Sequence, residues 1–102
     1  TKGWFTFDGL CKYDHQTGKS ETYNFGNGIF GSEVCFAPKD SAKNEDDGYL
    51  VSIITDINKN ISSCVLFEAK NISQGPICVM PLPQQICSGT HATWAQMSEL
   101  SF

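Results

Sequence analysis

The chain has 102 residues, 40% of them hydrophobic and 18% charged, and a formal net charge of −4 set by seven lysines, no arginine and eleven acidic residues. That is too apolar for a disordered tail and long enough for one modest domain or part of a larger one. No purely apolar run is longer than Ile77 to Met80, far below the roughly 18 residues of a membrane span, and lysines scattered from Lys2 to Lys70 make no phosphate-tracking patch. No transmembrane segment and no nucleic-acid partner are therefore expected. Thr1 to Phe7 lacks the basic start and apolar stretch of a secretory signal.

Helical periodicity is almost absent. Short β-branched and aromatic stretches recur instead, separated by Gly, Asn, Asp and Pro. Gly9 to Tyr13 is predicted as a strand, then Asp14-His15-Gln16-Thr17-Gly18 as a turn in which the Asp14 carboxylate accepts local N–H bonds and Gly18 takes a positive φ. Ser20 to Phe25 is the returning strand, broken by the glycine-rich Gly26 to Gly31. Glu33 to Ala37 is the next strand, stopped by Pro38, and Lys39 to Gly48 is a polar loop whose Glu45-Asp46-Asp47 run reads as solvated. Tyr49 to Asp56 and Ser62 to Ala69 are the strongest strand predictions and suggest an antiparallel pair about the turn Ile57 to Ile61. A short strand follows over Ile77 to Leu82, another over His91 to Trp94, and one helical turn over Ala95 to Leu100. The predicted class is all-β: a sandwich, a barrel, or about two propeller blades at roughly 40 to 50 residues each. Two blades cannot close a ring.

Five cysteines (Cys11, Cys35, Cys64, Cys78, Cys87) are an odd number without a CxxC pair, unlike a secreted disulfide scaffold. The sequons Asn60-Ile61-Ser62 and Asn71-Ile72-Ser73 matter only in a secretory compartment, and a reduced, cytoplasmic chain is expected. Of the two histidines, His15 reads as an exposed turn residue, whereas His91 lies in Cys87-Ser88-Gly89-Thr90-His91-Ala92-Thr93-Trp94, small residues before it and an aromatic after it. Taken alone, His91 reads first as a hydrogen-bonded core histidine. A zinc site from Cys78, Cys87 and His91 lacks a fourth ligand and the usual spacing. A Cys87–His91 nucleophile pair has no oxyanion-hole signature beside it, and Gly26 to Gly31 is followed by no Lys-Ser/Thr of a phosphate loop. Glu33 opens a strand continued by apolar Val34, Cys35 and Phe36, where a carboxylate must be exposed, paired or hydrogen-bonded.

In order along the chain come Lys12-Tyr13-Asp14, Thr17-Gly18, Gly31-Ser32-Glu33-Val34-Cys35-Phe36-Ala37-Pro38-Lys39, Glu45-Asp46-Asp47-Gly48-Tyr49-Leu50, Phe67-Glu68-Ala69-Lys70, Pro81-Leu82-Pro83 and Ser88 to Trp94. This series resembles the C-terminal end of the carotenoid cleavage oxygenases, the family that includes lignostilbene dioxygenases and the retinal pigment epithelium isomerase, over about Phe7 to Trp94. The resemblance implies that residues 1–102 are the C-terminal part, the last blades, of a seven-bladed β-propeller with one non-haem Fe(II) on its axis. Four histidines hold that iron in the family. His91 matches the last of them, and the other three have no counterpart in this chain. Glu33 matches a glutamate of the outer shell, where carboxylates accept N–H bonds from iron-bound imidazoles, fix their tautomer and leave the other nitrogen for metal. Many members carry Phe-His-Gly at the final ligand, where this chain has Thr90-His91-Ala92.

The implied reaction is cleavage of a conjugated carbon–carbon double bond by O₂ to two carbonyl products. Its implied substrate is an apolar polyene or stilbene: a carotenoid, apocarotenoid or stilbene. One imidazole cannot hold Fe(II) usefully, so these 102 residues alone are expected to be inactive. Two other readings stand beside it: a non-catalytic all-β interaction module, and a retinoid isomerase-like activity on the same fold.

Overall fold

In the computed structural model the described residues are 8–86 and 92–97. Alternating β-formers fold into seven strands: β1 (Gly9–Tyr13), β2 (Ser20–Asn24), β3 (Ile29–Gly31), β4 (Cys35–Pro38), β5 (Gly48–Asp56), β6 (Ile61–Glu68) and β7 (Cys78–Pro81). One 3₁₀ turn, Ile72–Gln74, lies between β6 and β7. No described helix is long and apolar enough to cross a membrane.

β1 and β2 form an antiparallel hairpin, Gly9 opposite Asn24 and Tyr13 opposite Ser20. Its turn forms as predicted: Asp14 Oδ1 accepts the N–H groups of Gln16 at 2.9 Å and Thr17 at 3.3 Å, and Gly18 has φ +72°. Those bonds hold the Asp14 carboxyl below its ordinary range.

The second sheet is antiparallel, with β5 paired to β6 from Tyr49/Glu68 to Asp56/Ile61 and β6 paired to β7. Both β3 and β4 pair with β5. Because β6 occupies one edge of β5, β3 and β4 share the other as one interrupted row. The result is a four-row meander, the size of one propeller blade, with the β1–β2 hairpin as a second sheet. The glycine-rich stretch ends β2 as predicted, but the break is short: after Gly26 (φ +111°) and Gly28 (φ +75°) turn the chain, Ile29–Gly31 is already strand.

Alternation sends Leu50, Ser52 and Ile54 of β5 to the same face as their β6 partners Phe67, Val65 and Ser63. The hairpin and the 3₁₀ turn cover this face. Val65, Phe67 and Ile72 are fully buried there, with Leu10, Tyr23, Phe25, Leu50 and Ile54 packed around them. The Phe67 ring meets Tyr23 at 5.3 Å and Phe25 at 6.5 Å between centroids. Two polar links add to this packing: Lys12 Nζ donates to Asp46 Oδ2 at 3.0 Å and Ala69 O at 2.9 Å, and Ser73 N–H donates to Glu21 Oε1 at 2.7 Å.

The acidic run is not a merely solvated loop. Asp47 Oδ2 accepts the N–H groups of Lys43 and Asn44, both at 2.9 Å, and its Oδ1 pairs with Lys70. The Lys70 bond, then those of Asn44 and Lys43, hold the Asp47 carboxyl far below its ordinary value of 3.8. A carboxyl with a lowered folded-state pKa adds stability above the unfolded value and loses it as pH falls through the folded one. Acid titration should thus destabilise the protein below about pH 4. Asp47→Asn should flatten that part of the stability profile, read from denaturant melts between pH 2 and 6; an unchanged slope would show that the loop does not use this charge.

Candidate functional site

The interruption between β3 and β4 is where Glu33 sits. Gly31 faces Ile54 and Cys35 faces Val51, so three residues, Ser32 to Val34, stand against two, Ser52 and Ile53. One extra residue on one strand is a β-bulge, a device that bends the strand and re-aims a side chain. Glu33 is therefore part of the bulge rather than the first residue of a strand. Gly31 begins it beneath an aromatic ring: a Cβ there would lie 2.7 Å from the Phe25 ring, so a side chain at this position would have to displace that ring.

The bulge is bonded to β5 by serine side chains as well as backbone. Ser32 N–H donates to Ile53 O at 2.8 Å, Ile53 N–H donates to Ser32 Oγ at 3.3 Å, and Ser52 Oγ donates to Ser32 O at 3.1 Å. Beyond it, burial raises the Cys35 thiol above its ordinary pKa, and the Glu33 charge adds to the rise.

The chain after β7 returns across the sheet. Ser62 Oγ lies 2.8 Å from Thr55 Oγ1 and accepts Ile86 N–H at 2.8 Å, while Thr55 Oγ1 donates to Ile86 O at 3.3 Å. Five residues outside the described set follow, and the next described one, Ala92, donates its N–H to Glu33 Oε2 at 2.9 Å. The fold thus brings the carboxylate of Glu33 to the backbone 59 positions further on, immediately after His91. His91 and Cys87 lie outside the described residues. So does the start of the strand predicted over His91 to Trp94; its remainder, 92–94, has no strand structure. Of the helical turn predicted over Ala95 to Leu100, residues 95 and 96 have no regular structure, Met97 is in 3₁₀ conformation, and the rest lies outside the described set.

His15 is exposed on the β1–β2 turn, its ring edge-on to Tyr13 at 5.1 Å. Among the described residues no group of three or more His, Cys, Asp or Glu could hold a metal ion, and Cys11, Cys35, Cys64 and Cys78 are free thiols. Two open hollows flank the hairpin. One, of about 390 Å³, is polar and carries both signs of charge, including Lys12, Lys19, Glu21 and Lys70. The other, of about 370 Å³, is more apolar and is lined by Leu10, Val34, Phe36 and Leu50 among others. Sequence reasoning singled out Glu33 and missed Ser32 and Ser52. The available signal was a lone serine inside the apolar run Leu50 to Ile54.

Comparison with known proteins identifies the family. The family described as retinal pigment epithelial membrane protein matches residues 1–96. Lignostilbene-alpha,beta-dioxygenase isozyme III of Sphingomonas paucimobilis is 33% identical over 96 residues, 94% of this chain and 20% of that protein. Carotenoid 9,10(9',10')-cleavage dioxygenase 1 of Arabidopsis thaliana is 36% identical over 78 residues, 76% of this chain and 14% of that protein. The crystal structure of cobalt-substituted Synechocystis apocarotenoid oxygenase superposes with a TM-score of 0.83 at 28% identity, covering 88% of this chain and 19% of that one. The chain spans about a fifth or less of the length of these relatives. Its strands are those of a β-propeller, and with the family match covering nearly its whole length, this chain belongs to the carotenoid oxygenase family typified by the retinal pigment epithelial membrane protein.

Proposed function

We propose that residues 1–102 are the C-terminal part of a non-haem Fe(II) dioxygenase that cleaves a conjugated carbon–carbon double bond of a carotenoid, apocarotenoid or stilbene. One O₂ supplies both oxygens, and the double bond becomes two carbonyl groups. The observation that carries this reading is the bond from Ala92 N–H to Glu33 Oε2, in a chain whose relatives are named as carotenoid and lignostilbene dioxygenases.

His91 is the residue that would hold the iron from this chain, with three further histidines supplied by the rest of the polypeptide. The donor chemistry fits: a neutral imidazole suits Fe(II), and a carboxylate kept beside its backbone is the usual partner for the ring N–H not used for metal. When bound, the iron supplies the O₂ chemistry, while the protein positions substrate and excludes water. Glu33 would fix the His91 tautomer and leave one ring nitrogen bare. Its negative charge would also offset part of the metal charge that four neutral ligands leave in place. A cytoplasmic, reducing location is part of the same reading, supported by the four described cysteines being free thiols.

Metal removal tests it. The full-length protein, stripped by a chelator, should lose cleavage of a stilbene or apocarotenoid in air and regain it with Fe(II), the two aldehyde or ketone products being followed by mass spectrometry. Cleavage that persists in metal-free protein would end this reading.

A further inference from the structure

Ser52 stands in the middle of β5 between Val51 and Ile53 and is 3% exposed. A hydroxyl is costly in such a place unless it is bonded, and this one donates to Ser32 O. The bulge creates the need for that donor. Continuing the register of β3 on β5, Ser32 and Ile53 stand where an antiparallel pair exchanges two backbone bonds. The first, Ser32 N–H to Ile53 O, is made at 2.8 Å. For the second, Ile53 N–H turns to Ser32 Oγ at 3.3 Å instead of the Ser32 carbonyl. That carbonyl, taken out of the ladder, is capped by the Ser52 hydroxyl at 3.1 Å. Two side-chain hydroxyls thus stand in for one ladder bond at the residue before Glu33, and Glu33 reaches Ala92 from the bulge they hold.

We infer that Ser32 and Ser52 are positioning residues for Glu33: their hydroxyls lock the bulge in the conformation that aims this carboxylate at the backbone following His91. The inference rests on the role proposed above for Glu33. Neither serine touches substrate or metal; both act through the carboxylate.

The test uses the full-length protein with Ser52→Ala, Ser52→Thr, Glu33→Ala and the Glu33→Ala/Ser52→Ala double variant. Hydrogen exchange at the Ala92 amide is measured without metal, and Fe(II) affinity by competition with a chelator. Ser52→Ala should speed exchange at Ala92 and weaken iron binding about 2- to 10-fold, the range expected from one hydrogen bond. Ser52→Thr, which keeps the hydroxyl, should restore both. In the Glu33→Ala background Ser52→Ala should change neither further, because the two residues act in series.

Wild-type exchange at Ala92 in Ser52→Ala, or losses of iron affinity that simply add in the double variant, would overturn the inference. If Ser52→Ala does not fold, Ser32→Ala, which removes the acceptor of Ile53 N–H, is read by the same two measurements. If Glu33→Ala leaves iron affinity intact while Ala92 exchange still responds to Ser52→Ala, the positioning stands and the metal role of Glu33 falls.

Discussion

Replacing His91 by alanine in the full-length protein is expected to remove bound iron and turnover together. In the proposed site three imidazoles would remain, and a missing ligand should cost more than the loss of an outer partner, which alone lowers metal affinity about 10- to 100-fold. Glu33→Gln gives the graded comparison. The amide keeps the size of the carboxylate and one acceptor oxygen, so the bond from Ala92 N–H can persist while the charge is lost. Iron affinity should then fall about 10- to 100-fold, within the range for such partners, with turnover falling alongside when iron is limiting. Metal analysis of the purified proteins, with melting of the metal-free forms as a control for folding, separates the two substitutions. Full iron content in His91→Ala would remove the central claim, because the chain's other histidine, His15, lies exposed on the β1–β2 turn.

Truncating Phe67 to alanine should cost about 3–5 kcal/mol of stability, the usual range for a buried aromatic ring replaced by a methyl group. Phe67 is fully buried and sits between the two sheets, touching Tyr23 and Phe25 of the hairpin side and clustered with Val65 and Ile72. The cavity would therefore open at the junction where the hairpin is held. Val79, half exposed on β7, is the matched control, and Val79→Ala should cost less than about 1 kcal/mol because little apolar area leaves water there. Thermal melts of the two variants, with near-ultraviolet circular dichroism to follow the aromatic cluster, read the difference. Equal melting temperatures would mean that the hairpin is held by its polar links, Lys12 to Asp46 and Ala69 and Glu21 to Ser73, rather than by this ring.

These two effects belong to different parts of one arrangement. The Phe67 cluster fixes the hairpin on one face of the sheet, and Gly31 leaves room for the Phe25 ring beside the bulge. On the other side of the molecule's logic, Thr55 and Ser62 take the returning chain at Ile86, and Glu33 takes it again at Ala92. The strand interruption is thus held from the core side by packing and serves the returning segment by hydrogen bonding. Core stability and the aim of the proposed ligand segment should be coupled through it.

Much of the framework was legible in the amino-acid order because local chemistry sets it. The Asp14 turn follows from an acceptor two and three residues before unpaired N–H groups and from a glycine free to take positive φ. The β5–β6 pair follows from two β-branched runs joined by a short polar turn, and its bounds differ from the prediction by at most one residue at any end. The pairing of Glu33 with His91 came from the family resemblance and stands as a proposal. What local order left undecided was register. The strand at Ile29–Gly31 and the extra residue at Ser32 to Val34 depend on pairing with distant β5, and the serine bonds that close the bulge on partners 20 and 21 positions away; the reach of Glu33 to Ala92 spans 59. A period-two pattern says which face a side chain takes within a strand but not which residue stands opposite, and a single bulge reverses that assignment. Only the folded pairing of β3 and β4 along one edge of β5 decides where the Glu33 carboxylate points.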